Sequence, residues 1–535
     1  MPAEQPQSSV LESATTPRVG HYRWTICALL FMATTINYMD RSILGVLGPT
    51  LQYRVFNWTD TDYANINIAF KIAYAIGMLS MGAIIDRFGT KIGYTLSIGI
   101  WSIFGMLHAA VRPAFSVLGF CVARFGLGLG ESGNFPAAIK TVGEWFPKKE
   151  RALATGIFNA GSNVGAILAP LVIPLVVFPD GTNWQYAFLT TGVFSALWVA
   201  IWLKVYKRPE VHPSVSPGEL AYINSDSVSE TVGKKLPWAS VLPLPETWAF
   251  AAAKITDAVW WFYLFWGGKF LFDRFGLDIK GLAVPLITIY VLADFGSIAG
   301  GWLSSYFIKK NWTVNVARKV TLLICALSIL PVMFVTMIPT DFEVNAQFFQ
   351  KLSTTTYSVE EIKTVDGKAV REHTTEQVSA ESVAALHTLD GKKYGSAKEF
   401  LAAVRETVGA DQANRIQSAV LKSSRSDNFY WIAVLLIALA AGGHQAWSAN
   451  IFTLVSDVFP KKATASVTGI GGMVGAVAGL IADFSLGQVL TSSGPSGYFF
   501  AFLLAGSAYL ILLGVVHLLM PHMTPLDENL HRVTA

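Results

Sequence analysis

Twelve transmembrane helices in two pseudo-symmetric six-helix bundles, an all-α membrane fold, is the architecture this sequence predicts, and three observations predict it. Of 535 residues, 52% are hydrophobic and only 14% charged, whereas soluble domains carry about 25% charged residues. The apolar residues collect into twelve runs, each near the roughly 20 residues that a helical bilayer crossing requires. One phrase is also written twice: Glu144-Trp-Phe-Pro-Lys-Lys149 returns 313 positions later as Asp457-Val-Phe-Pro-Lys-Lys462.

The runs fall near residues 22–49, 62–85, 92–110, 114–142, 151–178, 185–205, 247–272, 281–308, 317–338, 429–456, 464–490 and 497–520. The first is too long for the apolar region of a cleaved signal peptide and reads as an uncleaved span. A polar stretch rich in Pro, Ser and charge, 207–246, separates six runs from six. Each copy of the repeated phrase lies between the fourth and fifth runs of its half, with glycines following. The repeat therefore relates two bundles in parallel orientation, as in folds with an axis along the membrane normal. The division is 1–206 for the N-terminal bundle, 207–246 for the linker and 247–535 for the C-terminal bundle. The last is interrupted at 339–428 by a polar segment in which SAKEFLAAVRETV and DQANRIQSAVLK have helical spacing, predicting a small extracytoplasmic lobe.

The formal net charge of +4 says less than the placement of charge. Lys and Arg gather in alternate connections, including Arg87 with Lys91, Lys148 with Lys149 and Arg151, and Lys461 with Lys462. The positive-inside rule puts these loops and both termini in the cytoplasm of a cell whose inner (plasma) membrane the chain crosses. Cys27, Cys121 and Cys325 lie within the runs and show no metal-ligand spacing, so they read as packing residues and no metal is expected. Nothing points to nucleic acid; lipid is the expected surround.

Gly82-x-x-x-Asp86-Arg87-x-Gly89-x-Lys91 after the second run, together with two six-helix halves and a long middle linker, resembles the major facilitator superfamily. Asn37-Tyr-Met-Asp-Arg41, Arg124 with Gly130-Glu-Ser-Gly-Asn-Phe-Pro136, and Glu144-Trp-Phe-Pro resemble its anion:cation symporter branch. Val259-Trp-Trp-Phe-Tyr-Leu-Phe-Trp266 and Gly443-His-Gln-Ala-Trp-Ser-Ala-Asn450 are similar to bacterial hexuronate transporters. The resemblance implies import of an organic anion, a hexuronate or related sugar acid, by proton-coupled symport with alternating access. The coupling ion is H+, with Na+ as the other option, no cofactor is implied, and the protein works as a monomer. The 339–428 insertion and Lys71, where a neutral residue is commoner, depart from the family pattern.

Charged side chains inside spans are costly and mark functional positions. Asp40 and Arg41 stand on the first span, and Arg124 and Glu131, two helical turns apart, share one face of the fourth. A buried carboxylate escapes the cost of desolvation by taking a proton, so Asp40 and Glu131 are the proton-coupling candidates. A guanidinium offers a fork of donors that matches a carboxylate, so Arg41, with Arg124 beside it, is the substrate-binding candidate. A structural ion-pair knot is the competing reading. Lys71 either snorkels toward the interface or adds a second anion contact. The repeat carries Glu131 onto His444, whose neighbours Gln445 and Asn450 can bond sugar hydroxyls. Tyr38, Tyr74, Asn134 and Trp261 complete the substrate-binding set, with Trp260, Trp261, Tyr263 and Trp266 expected to wall the cavity. Gly82, Asp86, Arg87 and Lys91 form an expected cytoplasmic latch, its glycine permitting close helix approach.

Two other functions fit parts of the chain. A drug or metabolite:proton antiporter of the same fold is suggested by Gly161-x-x-x-Gly165 before Ala169-Pro170, against which the basic cluster argues. A sensor or membrane enzyme would use 339–428 as its working part, but that stretch has no nucleotide loop, metal spacing or nucleophile-base arrangement, so no catalytic residue is assigned.

Overall fold

The structure is a computed structural model and describes residues 20–178, 181–226, 238–365, 368–424, 429–527 and 529–532. Twelve membrane-length spans are present among them. In the first half these are α1 (Tyr22–Thr50), α2 (60–88), α3 (90–107), α4 (Ser116–Glu131, resuming as Asn134–Trp145), α5 (Lys148–Val176) and α6 (Gln185–Val205). In the second they are α7 (Asp257–Phe275, preceded by Pro245–Lys254), α8 (Ile279–Lys309), α9 (Val314–Ile329 with a 3-10 extension), α10 (Tyr430–Val458), α11 (Lys461–Ser493) and α12 (Tyr498–Leu519). Helices α2 and α3 form one continuous hydrogen-bonded run except at Gly89, whose φ of 79° is open to glycine and strained for side-chain-bearing residues.

The outer surface carries large apolar groups, Leu175 and Leu518 being 83% and 79% exposed, as lipid rather than water demands. By length and composition alone, eight helical segments qualify as membrane spans. Helices α1, α2 and α7 are not among them, and these hold the buried Asp40, Arg41, Lys71, Lys269 and Asp273.

The repeated phrase folds twice in the same way. Helix α4 ends at Trp145 and α10 at Val458; Phe146 (φ −125°, ψ 136°) and Phe459 (φ −99°, ψ 143°) leave the helix extended. Pro147 and Pro460 then hold φ −63° in both copies, and a new helix begins at the following lysine. Proline locks that φ and lacks the N–H that a first helical turn leaves unpaired. The acid opening each phrase ties down its own bundle: Glu144 Oε1 accepts from Thr90 Oγ1 at 2.6 Å, and Asp457 Oδ2 from Arg318 Nε at 3.0 Å.

The bundles meet along α1 with α7, α2 with α11 and α5 with α8. At the α1–α7 crossing a side chain on Gly45 would stand 2.5 Å from the Leu264 carbonyl, so only glycine permits that approach. Between α9 and α10 the chain builds a lobe of mixed structure, with strands beside the two expected helices. Helices Ala397–Val408 and Ala410–Ser424 stand where their spacing predicts. A hairpin of Thr356–Val365 with Lys368–Gln377 joins them. The lobe has its own apolar core around Phe342, Phe348, Leu352, Phe400 and Ile416, to which α7 contributes Phe272. The side of the molecule bearing it is called the lobe end below, and the side bearing the linker the linker end.

Candidate functional site

Tyr38 and Arg41 stand one turn apart on α1, on one face. Arg41 crosses to α4, donating Nε to Glu131 Oε2 at 2.9 Å and placing Nη2 2.8 Å from the same oxygen. Its guanidinium packs against four rings: Tyr38 at 4.7 Å, Tyr74 at 4.8 Å, Trp261 at 5.3 Å and Phe70 at 5.4 Å to the centroids. Aromatic faces attract cations most strongly where water is excluded. Trp261 belongs to α7, so this aromatic box closes across the seam between the bundles.

Arg124 is not the partner of Glu131. Its guanidinium is fully buried, and none of its three nitrogens meets a hydrogen-bond acceptor among the described residues. It lies over Phe70 at 5.3 Å and Phe265 at 5.8 Å. Asp40 turns toward α6, where Ser195 Oγ donates to it at 3.3 Å. The four charges predicted from sequence thus form one tight pair, Arg41–Glu131, with Asp40 and Arg124 held apart from it. A buried guanidinium without hydrogen bonds is costly, which makes Arg124 the group with most to gain from an incoming anion.

Lys71 does not snorkel. Its ammonium lies 2.7 Å from Asp483 Oδ2 on α11 and donates to the Gly479 carbonyl at 3.2 Å, with both side chains buried. Trp266 Nε1 donates to Asp483 Oδ1 at 3.0 Å, fixing the carboxylate. Sequence reasoning missed Asp483, although a lone acid within an apolar span is the same signal that marked Asp40. Two buried pairs result, Arg41–Glu131 within the first bundle and Lys71–Asp483 across the seam.

The neutral candidates divide differently. Asn134 ties helices together, its Oδ1 accepting from Tyr94 OH at 2.7 Å and its Nδ2 donating to Thr34 Oγ1 at 3.2 Å. His444 Nδ1 lies 2.6 Å from Tyr509 OH, and its ring stacks on Trp260 at 5.7 Å. Asn450 Nδ2 donates to the carbonyls of Gly300 and Ala446. All three are engaged in packing their own bundle, whereas Gln445 is half-buried. The aromatic cluster on α7 also splits, with Trp261 facing Arg41, Trp260 facing His444 and Trp266 facing Asp483. A single cavity wall is not what it forms.

At the linker end, nothing among the described residues lies within 4 Å of a side chain built on Gly82, so no close helix approach is made there in this conformation. Arg87 is exposed, beside Phe88, and the Lys91 carbonyl accepts from Trp202 Nε1 at 3.2 Å. The Asp86 side chain falls outside the described residues. Glu144 with Thr90, and Lys140 donating to the Ile85 carbonyl at 3.2 Å, join this corner to α4 instead.

At the lobe end the seam is sealed. Tyr63 OH donates to the Phe265 carbonyl at 2.5 Å, and the hydroxyls of Thr61 and Thr491 meet at 2.8 Å. Lys269 bridges Asp60 at 2.8 Å and Asp273 at 2.5 Å. Tyr53 and Tyr498 donate to Asp273 at 2.7 and 3.0 Å. Lys398 of the lobe reaches down to Asp60 Oδ2 at 2.7 Å. Burial acts to lower its pKa, and the Asp273 and Asp60 carboxylates outweigh that, holding it above the usual lysine value.

Two six-helix bundles related by an internal repeat, bonded to each other at one end over buried charges at their seam, are the architecture of a membrane transporter. Residues 30–349 match the model of the Major Facilitator Superfamily, and the chain belongs to that family. It is 33% identical to a galacturonate transporter of Dickeya chrysanthemi over 58% of this chain and 90% of that protein. It is 32% identical to a hexuronate transporter of Escherichia coli (strain K12) over 56% and 70%. Among solved structures, a bacterial homologue of the human lysosomal transporter Spinster, inward-facing and occupied, aligns with a TM-score of 0.60 at 17% identity, covering 94% of this chain and 98% of that one; this last likeness concerns the fold. The protein is a membrane-spanning transporter and not an enzyme.

Proposed function

We propose that this transporter imports a small sugar acid, a hexuronate or a close relative, together with protons. The observation that carries the reading is the Arg41–Glu131 pair inside a box of aromatic rings that spans both bundles. While Glu131 is charged it occupies the donors of Arg41. A proton on Glu131 neutralises that carboxylate and frees the fork of Arg41 for the carboxylate of a substrate, while Tyr38, Tyr74 and Trp261 offer rings and hydroxyls to the sugar. Charge at the seam is conserved by this exchange, since one anion enters as another is neutralised. The bundles can then rock without moving net charge through a low-dielectric region. Asp40 is the second proton site, and Arg124 offers further donors to the bound anion. The relatives named above support the substrate class. The linker end is assigned to the cytoplasm of a cell whose inner membrane holds the chain, on the placement of Lys and Arg, and the working unit is the monomer.

The test is uptake into proteoliposomes of labelled galacturonate and glucuronate, with an inward proton gradient, an inward sodium gradient or neither, and with glucose as the neutral control. Uptake of the acids driven by the proton gradient alone is the expected outcome. Uptake of neither acid would overturn the substrate class. Acid uptake indifferent to the proton gradient would overturn the coupling while leaving the substrate class intact.

A further inference from the structure

The lobe is strung between α9 and α10, so its chain ends move with the C-terminal bundle. Arg274 of α7 adds to that attachment, donating to the Gly395 carbonyl at 2.6 Å. Yet its most polar contacts run to the other bundle. Arg405 donates to Asn57 Oδ1 at 3.0 Å and to the Tyr53 carbonyl, and Arg54 Nε donates to Gln417 Oε1 at 2.7 Å. Lys398 pairs with Asp60 at the head of α2. Charge counting shows what that last contact adds. Beneath the lobe, Asp60 and Asp273 are buried with one ammonium, Lys269, between them. Two acids against one base leave a negative charge in a desolvated seam, and Lys398 supplies the missing positive charge.

Opening the lobe end separates the α1–α2 corner from α7. A lobe anchored to the second bundle and bonded to the first cannot follow both. We propose that the lobe is a built-in clamp on the lobe-end gate, with Lys398 as its key, that holds this end shut and must release one bundle in every transport cycle. It rests on the alternating-access reading and not on the choice of substrate. A conformational tax of this kind weakens apparent affinity by the fraction of molecules that are open. Loosening the clamp therefore increases the open fraction and strengthens apparent affinity for substrate arriving from the lobe side.

The test uses the full chain with its three native cysteines replaced and spin labels on Ala114→Cys and Ser492→Cys, exposed lobe-end positions of the two bundles. Distances between them are measured in lipid without substrate. Lys398→Met and, separately, Gln417→Leu are expected to add a longer-distance population. Uptake by Lys398→Met should show a KM lowered about fivefold, as loss of a partly exposed ion pair would give, and Gln417→Leu, which removes the acceptor of Arg54, should lower KM in the same direction. A second arm joins Asn57→Cys to Arg405→Cys with a short reducible bifunctional thiol reagent; transport should stop and return on reduction. Because the distance measurement needs no substrate, failure of the sugar-acid reading leaves it standing. Unchanged distances in both variants, or continued transport with lobe and first bundle covalently joined, would overturn the clamp.

Discussion

Positions 131 and 444 occupy the same place in the two halves of the repeat, and they do opposite work. Glu131 takes part in an ion pair inside an aromatic box that reaches across the seam. His444 bonds Tyr509 and stacks on Trp260, both within its own bundle. The backbone around them has been kept closely enough that the Phe-Pro corners share their dihedral angles. The chemistry has not been kept. The first bundle carries Arg41, Glu131, Lys71 and Asp60, while the second contributes Trp261, Asp483, Lys269, Asp273 and a well-bonded frame. Pseudo-symmetry here keeps the backbone of the Phe-Pro corners and leaves each bundle free to specialise.

The largest effect should come from Glu131→Gln. If the first bundle holds the coupling chemistry, gradient-driven uptake falls by about 100-fold, the order of effect expected for loss of a proton-transfer group, while exchange of labelled for unlabelled substrate persists. Loss of exchange together with uptake would mean that Glu131 holds the fold rather than the proton. A smaller effect is expected at the cross-seam pair. Lys71→Met leaves Asp483 buried without its cation and should cost about 3–5 kcal/mol of stability, read as a lowered thermal midpoint of the purified protein. Adding Asp483→Leu should recover most of that loss, since replacing both members by apolar groups removes the stranded charge. If the double variant unfolds as early as the single, the two residues are not an energetic pair. The smallest effect is expected for His444→Phe. Losing the bond to Tyr509 costs about 1 kcal/mol, and the KM for uptake should change by less than about twofold. A tenfold rise in KM would make His444 a substrate ligand and erase the contrast between the halves.

Much of this was legible in the sequence because a bilayer allows so few solutions. Apolar length located the spans, the repeated Phe-Pro-Lys-Lys located the pseudo-symmetry, and charge inside spans singled out Arg41 and Glu131. What sequence reasoning could not supply was who faces whom. Arg124 shares a helix face with Glu131, yet the neighbour that reaches the carboxylate comes from α1, because pairing depends on how helices cross and not on spacing along one of them. Other signals were present and went unread. Lys269 and Asp273 are four residues apart, one turn of a helix, and Asp483 stands alone in an apolar run. In the lobe, Asp366-Gly367 separates two β-rich stretches, the pattern of a tight hairpin, and the flanking strands do pair, from Val365 with Lys368 outward.

The lobe's core also includes a ring that the lobe does not encode. Phe272 comes from α7, and Tyr53, in the short turn Leu51–Val55 that follows α1, packs against the same cluster, so its apolar interior is finished only when both bundles have been brought together beneath it. In the order of synthesis Tyr53 and Phe272 both precede the lobe. The lobe's compactness is therefore expected to report on successful assembly of the helices below. A helix-packing defect far from residues 342–424 should betray itself first as protease sensitivity in that segment. The same segment made alone, lacking Phe272, would have a gap where its neighbour's ring belongs.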